Sequence, residues 1–266
     1  MFMDLELARQ LERTEALVGK TFADARNAVS PVGAMSRDFG GTTAIFDGPD
    51  SPMTQTICLG LFEPATAEML SSIEVFFAER GAVTMHEVSP FAGVATLALL
   101  VERGYTPIEL STVLVQPIPD RAVGASPLRV RVIDPAADGE PWIETSIAGW
   151  SADPVIAAFI RTIASANIKN QAMTHYIVED AGAPIATGSL GVHHGVALLA
   201  GASTIPTARG RGAQALLLAQ RLADARARGC TLAMMVTEVG STSQRNAERN
   251  GFRVAYTRSK WQRLSR

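Results

Sequence analysis
Cysteine is nearly absent. Only Cys58 and Cys230 occur in 266 residues, far apart and on apolar stretches. Without CxxC or Cys/His spacing they offer neither a metal site nor a redox pair, and they read as reduced core residues. Charge is scarce as well, at 19% of residues with a formal net charge of -2. That leaves no general footprint for nucleic acid and no polybasic membrane patch. Apolar runs stay short of the ~18 residues of a membrane span. The N-terminal MFMDLELARQLERTEALVGK lacks the basic start and continuous apolar run of a signal peptide. A cytoplasmic protein is expected, with no metal, no nucleic-acid partner and no membrane partner.

What the chain does have is apolar material, 47% of residues, enough for buried cores. Its length favours two domains. The segment QPIPDRAVGASPLR (116–129) gathers three prolines and a glycine between the strand-like runs STVLV and RVRVI. It reads as a linker and divides the chain into 1–120, a linker at 121–128, and 129–266. Across that cut two anchors repeat at nearly one offset: Gly104-Tyr105 precedes Gly251-Phe252 by 147 positions (251 − 104), and Gly81 precedes Gly229 by 148 (229 − 81). The second half reads as a strand meander at 174–179, 184–192 and 196–204, with turns at Ala181-Gly182 and His194-Gly195. A helix at 213–228, a strand at 232–237, a helix near 243–250 and a last strand at 253–257 follow, and one or two helices at 140–167 precede the meander. The fold class is mixed α/β, antiparallel at the start of this half.

The phrase TIPTARGRGAQALLLAQRLADARARG (204–229) concentrates two arginines and two glycines at the mouth of a long helix. A helix N-terminus exposes unpaired N–H groups and the positive end of the macrodipole, and glycines let the preceding backbone bend so that these groups converge on one anion. Arg209 and Arg211 add arms suited to phosphate oxygens. In the repeat register this tetrapeptide faces LFEP (61–64), where the glycines are gone and Glu63 would repel phosphate; one half binds an anion and the other does not. A Walker loop is excluded by the missing Gly-Lys-Ser/Thr. GRGAQA (210–215) fits the dinucleotide fingerprint GxGxxA, but only one further βα unit remains before the chain ends, too little for a doubly wound sheet.

TIPTARGRGAQ (204–214) resembles motif A of the GNAT superfamily of acyl-CoA-dependent N-acyltransferases: a strand end, Arg209, two variable residues, Gly212, one more, and then Gln214 where relatives have Gly or Ala. SQRNAERNGF (243–252) resembles motif B, a helix ending in Gly-Phe. The resemblance covers about 130–261 and extends weakly to the first half through VERGY, which implies tandem GNAT-like domains, the first without a cofactor loop. It further implies that acetyl-CoA, as co-substrate, rests its pyrophosphate on Arg209, Gly210, Arg211 and Gly212 together with Ala213 and Gln214. Its pantetheine arm would run along Thr204 and Ile205. Many relatives carry a tyrosine four residues before the motif B glycine; here that place is Ala247, with Asn246 beside it or solvent as the substitute. Glu238, at the end of TLAMMVTE, is the expected general base. The implied activity is acetyl transfer to an amine of a small molecule or peptide; the alternative is a non-catalytic acyl-CoA-binding regulatory module. His193 and His194 fall in a turn, and Trp142, Trp150 and Trp261 read as core, with Trp150 on the segment that faces substrate in relatives.

Overall fold
The computed structural model describes residues 2–120, 123–150 and 153–263. In chain order the elements are α1 (Leu5–Val29), β1 (Met35–Phe39), β2 (Thr42–Phe46), β3 (Gln55–Ile57), α2 (Ala67–Ala78), β4 (Met85–Val88), α3 (Gly93–Glu102) and β5 (Tyr105–Pro117). They continue with β6 (Arg129–Val132), α4 (Pro135–Trp150), α5 (Pro154–Lys169), β7 (Met173–Asp180), β8 (Ala183–His193), β9 (Val196–Thr204), α6 (Ala213–Ala227), β10 (Leu232–Glu238), α7 (Thr242–Arg249) and β11 (Arg253–Arg263). The order β1-β2-β3-α2-β4-α3-β5 recurs as β7-β8-β9-α6-β10-α7-β11. The repeat anchors prove to be helix C-cap glycines: Gly81, Gly104, Gly229 and Gly251 all have positive φ.

Two compact units form, and they do not follow the sequential cut at 121–128. The first is Met1–Val115 with Val236–Arg266; the second is Gln116–Met235. The physical reason is β11, which reaches Arg263 rather than stopping at 257. It pairs antiparallel with β5 from Arg253↔Val115 to Arg263↔Tyr105, and with β4 from Ser259↔Val88 to Gln262↔Met85. The first unit's strand order is therefore β1-β2-β3-β4-β11-β5, with the chain's last strand well inside the sheet. Of the linker, Arg121 and Ala122 lie outside the described residues.

In the first unit, α1 is capped by Asp4, whose side chain accepts from Leu7 N at 2.9 Å. One face of α1 carries Ala16 and Ala23 into a core with Ile45, Ile57 and Leu61. Trp261 of β11 packs with Leu59, Leu70, Val88, Leu100 and Tyr105. A buried charge network joins α1 to β11. Arg258 donates to Glu15 at 2.6 Å and to Glu12 at 3.2 Å and lies 3.1 Å from Glu87, while the Tyr256 hydroxyl donates to Glu12 at 2.8 Å. Burial pushes the Glu12 carboxyl up to about 7, against the pull of Arg258.

The second unit has strand order β10-β9-β8-β7-β6, antiparallel except for β9 with β10. Both units are thus mixed α/β, with mostly antiparallel sheets flanked by helices. Ala181-Gly182 and His194-Gly195 form the β7–β8 and β8–β9 turns with positive φ at both residues, the handedness that suits tight hairpins. Trp142 is buried, donating from Nε1 to the Tyr176 carbonyl at 3.0 Å, with Ile143, Ala164, Ile168 and Ile177 around it. Segment 140–167, expected to carry one or two helices, holds the end of α4 and most of α5, the latter capped by Asp153 and started by Pro154. Cys58 and Cys230 are both buried free thiols. Among the described residues no helix is long and apolar enough to cross a membrane.

Candidate functional site
The loop between β9 and α6 lies wholly in the second unit. β9 and β10 run parallel only from Leu232↔Val196 to Met234↔Leu198, whereas β9 continues to Thr204. Past Leu198 the two strands part. A bulge accompanies the parting: Thr187 faces Ser203 and Ser189 faces Ala200, so Gly188 stands opposite two residues of β9. The distal part of β9 is thereby turned out of a flat sheet, with Thr204 and Ile205 at its end.

From the other face, α4 presses on this strand end. Gly149 has no room for a side chain, because a Cβ there would sit 2.5 Å from Ser203 Oγ and 3.0 Å from Thr204 N. A buried hydroxyl chain locks the approach. Ser146 Oγ lies 2.8 Å from Thr187 Oγ1, which lies 3.2 Å from Ser203 Oγ. On the α6 side, Arg221 is fully buried and donates to the Ser189 carbonyl at 3.2 Å. Its desolvation lowers the guanidinium to about 10.

After Ile205, one 3-10 turn at Pro206–Ala208 leads into Arg209, Gly210, Arg211 and Gly212. Gly210 and Gly212 have φ of +76° and +84°, a region that a side chain strains to enter. Gly212 is the N-cap of α6 and supplies no side-chain acceptor. The first helical bond runs from Leu216 N to the Gly212 carbonyl at 3.0 Å. The N–H groups of Ala213, Gln214 and Ala215 therefore precede the helical ladder, at its positive end. The corresponding helix of the first unit is closed: Thr66 Oγ1 caps α2 by accepting from Met69 N at 3.1 Å, and the preceding LFEP is held by Arg9 Nε donating to the Leu61 carbonyl at 2.7 Å. The contrast between RGRG and LFEP is thus also a contrast between an uncapped and a capped helix start.

The arginines are placed differently from the free arms expected for them. Arg209 donates from Nε to the Thr204 carbonyl at 3.2 Å and from Nη2 to the Gly149 carbonyl at 3.1 Å, tying the loop to β9 and α4. Arg211 pairs with Asp180 on the surface. Gln214, in the place of the small motif A residue, turns back and donates from Nε2 to Thr204 Oγ1 at 2.7 Å. Loop rigidity comes from these ties, and the backbone N–H groups remain the open donors.

The structure thus brings together Thr204, Ile205 and 209–214. Glu238 and Asn246 belong to the first unit: Glu238 is exposed at the end of β10, and Asn246 is exposed on α7. Ala247, in the tyrosine's place, is buried. Trp150 is more than half exposed, unlike the core residues Trp142 and Trp261. Among the described residues no group of three His, Cys, Asp or Glu side chains is gathered for a metal ion. Gly149, Ser146 and Asp180 support the loop and were not legible beforehand; a glycine and a serine inside a helix give no signal until their neighbours are known.

A parting parallel strand pair, a bulged strand and an uncapped Gly-rich helix start are thus gathered at one end of β9. Residues 141–252 match the model of the acetyltransferase (GNAT) family. Solved structures agree on the fold. A GCN5-related N-acetyltransferase from Kribbella flavida is 19% identical with a TM-score of 0.66, over 92% of this chain and 96% of that one. A tandem GNAT protein from the clavulanic acid biosynthesis pathway is 14% identical with a TM-score of 0.59, over 85% and 79%. A GCN5-related N-acetyltransferase from Sphaerobacter thermophilus is 14% identical with a TM-score of 0.55, over 86% and 74%. No curated protein matches in sequence. Family and fold together support acyl transfer in general.

Proposed function
We propose that the protein is an N-acetyltransferase that moves the acetyl group of acetyl-CoA directly to an amine of a small molecule or peptide. The observation that carries this reading is the uncapped start of α6, whose N–H groups at 213–215 follow two left-handed glycines and fit a diphosphate. Gly210, Gly212, Ala213 and Gln214 supply this cradle, and Arg209 and Arg211 keep positive charge around it. The edge of β9 at Thr204 and Ile205, parted from β10, suits an extended pantetheine arm pairing as an added strand.

In the transfer the amine nitrogen forms a bond to the acetyl carbon, the thioester C–S bond breaks, and the thiolate takes up a proton. Glu238 is assigned to accept the proton that the ammonium must lose before attack, and Asn246 to stand where the motif B tyrosine serves relatives. Backbone N–H groups near Thr204 are assigned to the developing oxyanion. Buried free cysteines suit a reducing cytoplasm.

The experiment is release of free thiol from acetyl-CoA across a panel of amines. Arg209→Glu, which removes two backbone ties and adds a like charge beside the phosphates, is expected to raise the KM for acetyl-CoA by about tenfold or more. Equal KM in both proteins contradicts the cradle. The buried Ala247 favours one second reading, a non-catalytic acyl-CoA-binding module; it predicts thermal stabilisation by CoA with no thiol release on any amine.

A further inference from the structure
The first unit lacks the open helix start, yet it holds a cavity of about 230 Å³ between α1, the β1–β2 hairpin and the segment after β3. Its walls combine two chemistries. Leu17, Phe62 and the buried Cys58 supply an apolar floor, while Arg13, Lys20 and Arg37 bring three cations to the same space. Two of these are held in place: the Arg13 guanidinium lies 4.1 Å from the centroid of the Phe62 ring, and that of Arg37 lies 4.9 Å from Phe39.

Among the described residues none of the three cations takes part in an ion pair, whereas Arg9, Arg26, Arg80 and Arg103 of the same unit each have a carboxylate partner. The single acid in the wall, Asp38, accepts from Gly41 N at 3.1 Å and stays with its own turn. Cys58 has φ of +71°, an uncommon conformation for a residue with a side chain, which turns the end of β3 into the cavity floor. Its thiol is pushed well up by burial and by Glu12 and Glu15, so it stays neutral and adds apolar surface rather than a nucleophile.

We propose that this cavity is a binding site for a small organic anion: an apolar body against Leu17, Phe62 and Cys58, with a carboxylate or phosphate facing Arg13, Lys20 and Arg37. Size excludes a coenzyme. Ligand pockets for drug-sized molecules start at about 300 Å³. A cavity of about 150 Å³ takes benzene, so this one suits a body of roughly nine non-hydrogen atoms. The three cations carry net positive charge into a partly enclosed space, where attraction for an anion is screened less than on open surface. The site is separate from the acyl-CoA loop in sequence and in chemistry, and it does not depend on that loop's assignment.

The test uses the full chain, titrated calorimetrically with benzoate, phenyl phosphate and the neutral isostere benzamide. Benzoate or phenyl phosphate is expected to saturate the protein at millimolar concentrations or below, at least about tenfold more tightly than benzamide, and to weaken with added salt. The two anions distinguish a carboxylate site from a phosphate site. Lys20→Ala with Arg37→Ala, both exposed and outside the acyl-CoA loop, is expected to lower the affinity about tenfold with unchanged thermal unfolding. Should that pair unfold early, Arg37→Gln alone carries the same expectation. Equal affinity for benzamide, unchanged affinity in the variants, or no saturation by either anion overturns the proposal.

Discussion

At the residue scale, close approach governs the loop. Arg209 and Gln214 both return to Thr204, through its carbonyl and its hydroxyl, so the end of β9 and the start of α6 are fixed to each other by two side chains. Such ties cannot be read from a motif, which records residue types and not the atoms they meet. Burial likewise sets the titration of Glu12. Its carboxyl is raised to about 7 from the ordinary 4.5, because desolvation outweighs the pull of Arg258. The folded state therefore holds this proton more tightly than the unfolded chain. Its contribution to stability is fully present below about 4.5 and is lost as pH rises toward 7, by about 3 kcal/mol in all. Relative to Glu12→Gln, the wild type should lose stability between pH 5 and pH 7, as judged by urea midpoints at matched pH; parallel profiles would contradict this, and His86 and His175, lowered to about 3 and about 4 by burial, are common to both proteins and cancel.

At the element scale, helix starts and turns were legible because their chemistry is local. The left-handed turn residues at 181–182 and 194–195, the C-cap glycines and the strong α6 pattern all act within a few residues. The two halves diverge at one such element. α2 begins under Thr66, α6 under a glycine with nothing on its side chain. Thr66→Ala is expected to destabilise the protein by about 1 kcal/mol, since it frees a capped N–H. A midpoint shift in chemical denaturation checks this, and no shift would mean that water replaces the cap at no cost.

At the scale of the whole molecule, the repeat in element order was visible and the grouping of elements was not. A cut at 121–128 follows the prolines and Gly124, but strand partnership is a long-range matter: β11 finds β4 and β5 about 150 residues away in sequence, as Arg258↔Ser111 illustrates. Pairing of this kind leaves no local signature. Arg258 is buried with Glu12, Glu15 and Glu87, so removal of β11 strands three carboxylates as well as opening the sheet. A fragment of residues 1–120 is therefore expected to lack a cooperative thermal transition, and calorimetry of that fragment beside the full chain checks it. A sharp independent transition would show that β4 and β5 close without β11.

The most direct measurement concerns the amide groups at the start of α6. In a two-dimensional amide NMR titration of the full chain with coenzyme A, the resonances of Gly210, Gly212, Ala213 and Gln214 are expected to move most, and to saturate together. If these four stay in place while others shift, around Arg13 and Lys20 or elsewhere, the diphosphate does not rest on α6 and the assignment of the loop is wrong.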